Sequence, residues 1–85
     1  MALYTPLAEC LAASERETVR MTFAEISKLI GKKLPASATG HQAWWANEVA
    51  PSHVQNVAWD SAGYEVDQVD RSAKWVRFRR KAGST

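Results

Sequence analysis

The chain has 85 residues, a net charge of +2 and a single cysteine, Cys10, so it is expected to form one core without an internal disulfide. No apolar run reaches the roughly 18 residues of a membrane span, and the start lacks a basic-then-apolar leader. These features predict a cytoplasmic protein with one domain over residues 1–81 and a flexible tail at 82–85.

Residues 5–13 read as a first helix, with Thr5 as N-cap, Pro6 at the first helical position, and Leu7 and Leu11 on one face. After a polar turn at 14–17, residues 18–22 alternate Val19 and Met21 with polar neighbours, as a short strand does. Thr22-Phe23-Ala24-Glu25 is a capping box. Phe23, Ile26 and Ile30 then recur at helical spacing until Gly31 supplies a left-handed stop. Residues 35–47 are expected to be helical, although Thr39 and Gly40 have low propensity. Ser52-His53-Val54-Gln55 is a second capping box, opening a helix that Gly63 ends. A hairpin follows, with strands at 64–69 and 74–80 and a turn around 70–73. Val66 and Val69 are three apart, which calls for a bulge near Gln68. In the second strand Val76 and Phe78 take one face, whereas Trp75, Arg77, Arg79 and Lys81 take the other.

Helix, strand, helices and hairpin in this order predict an α+β, winged-helix-like domain. It has three or four short helices, a small antiparallel sheet and a C-terminal β-hairpin. The early strand pairs with the hairpin to complete a three-stranded sheet. Residues 23–30 are then the first helix of a helix-turn-helix, and residues 35–47 the groove-facing one.

Charge is unevenly placed. No lysine or arginine lies between Lys33 and Arg71, where Glu48, Asp60, Glu65, Asp67 and Asp70 fall. Apart from Arg16 and Arg20, positive charge gathers in Lys28, Lys32 and Lys33, and again in Arg71, Lys74, Arg77, Arg79, Arg80 and Lys81, so an anionic partner is expected to meet those two clusters. In the 35–47 segment Ser37, Thr39, His41, Gln42 and Asn47 are able to bond base edges or phosphates. That segment has no cation, so phosphate contacts fall to Lys28, Lys32 and Lys33 on one side and to Lys74, Arg77, Arg79 and Arg80 on the other.

The motif His41-Gln42-Ala43-Trp44-Trp45-Ala46-Asn47 resembles that of a family of small uncharacterised bacterial and phage domains with no assigned activity. Similar signposts are Tyr4-Thr5-Pro6-Leu7, Thr22-Phe23-Ala24-Glu25-Ile26, Leu29-Ile30-Gly31, Leu34-Pro35-Ala36-Ser37-Ala38, Ala58-Trp59, Ala62-Gly63-Tyr64 and Val76-Arg77-Phe78. In that family basic residues often precede the histidine, where this chain has Thr39-Gly40. The resemblance implies a shared fold, a lean toward DNA because similar domains occur beside DNA-processing modules, and no catalytic residue.

Each notable group also has an ordinary structural explanation. Trp44 and Trp45, adjacent on a helix, diverge by about 100°; either both pack, or the outer ring is a stacking surface. His41 and Asn47 suit backbone bonding at a helix end as well as ligand reading. Trp75 with the arginines suits phosphate contact and stacking, or equally a solvated sheet face on a charged edge strand that discourages aggregation. Cys10 sits on an apolar helix, as a core cysteine does, and His41, His53 and Cys10 lack metal-site spacing. The expectation is a non-enzymatic domain without cofactor or metal that binds nucleic acid, duplex DNA first. The alternative is a protein-interaction module, an adaptor or inhibitor, anchored by exposed Trp and Arg. The first helix also offers a surface for a homodimer.

Overall fold

A capping box, two left-handed glycines and one alternating strand set the frame of the computed structural model, which describes residues 3–46 and 54–81. The elements run α1 (Thr5–Ala13), β1 (Thr18–Thr22), α2 (Phe23–Ile30), α3 (Ser37–Gly40), a 3-10 turn (Gln42–Trp45), α4 (Val54–Ser61), β2 (Tyr64–Asp70) and β3 (Trp75–Arg80). The fold is thus α+β, with four helices, a three-stranded antiparallel sheet and a C-terminal hairpin among the described residues. The second capping box, Asn47 and the tail at 82–85 fall wholly or partly outside those residues.

Local signals act as the residues demand. Thr22 Oγ1 accepts the Glu25 N–H at 3.0 Å, and the Glu25 carboxylate accepts the Thr22 N–H at 2.8 Å. The Thr22 N–H, and after it the Thr22 hydroxyl, hold the Glu25 carboxyl pKa below its ordinary value. Gly31 and Gly63 end α2 and α4 at φ 74° and 82°, where a Cβ is disfavoured. At α1 the cap lies one residue earlier than expected, on Tyr4. Its side chain makes no capping bond, and Thr5 is the first helical residue. Cys10 is exposed, contrary to the core role expected for it, because only Leu7 and Leu11 of α1 turn inward.

The largest departure is at 35–47. Instead of one helix, the chain makes a single turn at α3, extends at His41 with φ −134° and ψ 120°, and resumes as the 3-10 turn. Tertiary bonds hold this break. The Trp45 indole N–H donates to the Ala38 carbonyl at 2.7 Å, while the buried Gln55 of α4 donates to the Trp44 carbonyl at 3.1 Å. Both rings of the pair are used in packing. Trp45 lies between Phe23 and Trp59, with centroids at 5.0 and 5.8 Å in near-parallel stacks, and Trp44 meets Tyr4, Trp45 and Trp59 edge-on.

The sheet order is β1-β3-β2, so β3 is central rather than the edge strand considered from sequence. Val76 and Phe78 of β3 are fully buried and share one cluster with Met21, Tyr64, Trp59, Phe23 and Ile26. The early strand pairs with the hairpin as expected, and β2 carries its bulge between Val66 and Gln68. The core thus lies on one side of the sheet, with the helices. The other side is left to solvent.

Candidate nucleic-acid interface

Strand alternation sends Thr18, Arg20 and Thr22 of β1, and Trp75, Arg77 and Arg79 of β3, to the face away from the core. The register sets Thr18 against Arg79, Arg20 against Arg77, and Thr22 against Trp75. Arg80 N–H bonds the Glu17 carbonyl and Phe23 N–H the Lys74 carbonyl, so by strand alternation Arg20 and Arg77 meet at a non-hydrogen-bonded pair. At such positions the Cα atoms approach to about 4.5 Å.

Two arginines directly opposed on an exposed face repel. Their neighbours offset part of this. The Arg77 Nε donates to Asp67 at 2.7 Å and its terminal nitrogen to Gln68 at 3.1 Å. Arg79 bonds Glu65 at 3.0 Å and lies 3.4 Å from Asp67, and this bond, with the two nearby charges, raises its pKa further. Arg20 has no carboxylate partner among the described residues. Its guanidinium instead rests 4.4 Å from the Trp75 ring centroid.

The expected site residues do not form one patch. Trp75, Arg77 and Arg79 come together on the open face, and exposed Lys74 sits beside them in the turn with φ 61°. Thr39 and Gln42 are exposed beside the hairpin turn, where Arg71 donates to the Thr39 carbonyl at 3.2 Å and to Gln42 at 3.3 Å. An open cleft of about 340 Å³ joins Thr39 and Gln42 to Gln68, and through Gln68 to Arg77. Ser37 is partly buried at the start of α3, and the exposed His41 marks the break after it.

Other residues stand apart. Arg80 falls on the opposite parity of β3 and reaches the Ser14 carbonyl at 3.2 Å, with the Tyr64 ring 5.7 Å away. Lys32 and Lys33, both exposed, follow α2, whose eight residues carry the chain about 12 Å along the helix axis from Thr22. Lys81 pairs with Asp60. Asn47 lies outside the described residues. The basic stretch expected to meet a partner is therefore largely engaged by the chain's own carboxylates and carbonyls.

Arg20 is the residue that sequence reasoning misses. Its signal is its parity with Thr18 and Thr22, which acquires meaning only once β1 is aligned against β3.

Among the described residues no group of three or more His, Cys, Asp or Glu is placed to hold a metal ion, and no helix is long and apolar enough to cross a membrane. No curated protein and no solved structure matches the chain. A family model spans nearly the whole of it, residues 4–81, and the chain belongs to that family, described as Domain of unknown function (DUF7662).

Proposed function

We propose that this domain is a non-enzymatic nucleic-acid-binding module that works in the cytoplasm and meets its partner on the uncovered face of the sheet. The observation that carries this is the placing of Arg20 directly opposite Arg77, with Trp75 under the Arg20 guanidinium. Two arginines at directly paired positions on a solvent face are unfavourable in the free protein, where their guanidiniums turn apart to Asp67 and to Trp75. A phosphate backbone laid across them removes that cost and releases its own counterions. The winged-helix likeness is then one of connectivity, because the helix expected to enter a groove at 35–47 is broken at His41.

The test is a binding series on mixed DNA and RNA pools at rising salt, with wild type, Arg20→Ala and Arg77→Ala. Affinity should fall steeply with salt, and each substitution should weaken binding and flatten the salt slope by about one unit. Absence of binding to any pool at low salt overturns the proposal.

One observation favours a protein partner instead. Glu65 and Asp67 leave the face with nearly balanced charge, and a tryptophan flanked by paired arginines is the composition of an interface hot spot. Recovery of a stable, nuclease-insensitive protein complex lost in Trp75→Ala would select that reading.

A further inference from the structure

Resting on the nucleic-acid reading above, we infer that the ligand is single-stranded, with an unpaired base lying on the Trp75 indole in the position that the Arg20 guanidinium occupies in the free protein.

Duplex reading requires an element that projects into a groove, and two elements placed to do this, the hairpin turn and α4, are held back. The hairpin turn is tied down at both ends. Arg71 bonds the Thr39 carbonyl and Gln42, and the Lys74 carbonyl accepts the Phe23 N–H at 2.9 Å. α4, the helix before the hairpin, turns its amides Gln55 and Asn56 inward to the carbonyls of Trp44 and Ala46. Its sole charged residue is Asp60, which pairs with Lys81. The sheet face away from the helices is open, with strands spaced about 4.8 Å apart, a platform suited to splayed bases.

Trp75 is partly buried at one end of that platform, and a planar cation already lies over its ring. A nucleobase presents a larger planar surface, and base–indole stacking is stronger than an exposed cation–π contact. Exchange frees Arg20 to swing onto a phosphate. Arg77 and Arg79 continue in a row along the same strand, where they can follow the backbone while sharing Asp67 and Glu65.

The probes are oligothymidylate about a dozen nucleotides long, a mixed-sequence duplex of similar length, and inorganic polyphosphate, each titrated at low salt into the full chain. Oligothymidylate should bind about tenfold or more tighter than the duplex. Trp75→Ala should lose about tenfold for oligothymidylate and little for polyphosphate, while Trp75→Phe should retain most of the affinity. Oligothymidylate should also quench tryptophan fluorescence in wild type by a component missing from Trp75→Phe, a readout that holds even if Trp75→Ala fails to fold. Equal or tighter duplex binding, or an unchanged affinity in folded Trp75→Ala, overturns this inference and leaves the nucleic-acid reading standing. No binding to either nucleic acid overturns both.

Discussion

The indole N–H of Trp45 donates to the carbonyl of Ala38 at 2.7 Å, and this bond spans the point where an expected helix is broken. Ala38 is fully buried, so its carbonyl has little access to water. Trp45→Phe keeps an aromatic ring between Phe23 and Trp59 but removes the donor. It should cost about 1–3 kcal/mol of folding stability, the penalty of a buried unpaired carbonyl. Urea unfolding of both proteins measures this; a loss below about 0.5 kcal/mol would show that the carbonyl finds another donor.

The Thr22–Glu25 capping box gives a pH-dependent prediction. Thr22→Ala should destabilise by about 1 kcal/mol at neutral pH. Glu25 has a lowered pKa in the folded state, so the unfolded chain binds its proton more readily. Its contribution is therefore complete above the ordinary glutamate pKa of about 4.3 and is lost as pH falls through the lower folded value. Unfolding free energy followed across that interval should fall more in wild type than in Glu25→Ala.

Asp67 competes with any anion for Arg77 and Arg79. Asp67→Asn should therefore raise affinity for single-stranded nucleic acid by about three- to tenfold at low salt, the gain shrinking as salt screens the charges. A protein partner that uses the ion pairs would instead bind more weakly. Isothermal titration at two salt concentrations separates these outcomes.

Tyr64 joins distant parts of the chain, its hydroxyl lying 2.5 Å from the Arg16 carbonyl and 3.1 Å from that of Ser14. Tyr64→Phe should cost about 1–2 kcal/mol. Hydrogen exchange should quicken first in the segment between α1 and β1, whose anchor is removed; uniform exchange across the sheet would argue against a local role.

Features with local causes are legible in the sequence. Thr22 and Glu25 stand three apart, Gly31 follows the last apolar helical residue, and Val76 and Phe78 alternate with Arg77 and Arg79; each pattern names its own structure. The break at His41 is not legible in this way, since it is held by partners that lie seven residues from Trp45 and eleven from Trp44. Gly40 and Thr39 weaken the helix but do not say where it ends. The pairing of Arg79 with Glu65 is readable in principle. The acidic and basic stretches are the two arms of one hairpin, and antiparallel alignment sets opposite charges side by side. Treating them as separate surface patches overstates the free positive charge.

Because β3 is the central strand and the last of the three in sequence, neither β1 nor β2 has its sheet neighbour until residues 75–80 are available. On a translating ribosome the helices can begin to associate early, but no ladder bond can close until that last segment clears the exit tunnel. A nascent chain stopped before Trp75 would present two unpaired strands and an uncovered aromatic cluster, the kind of surface that chaperones bind.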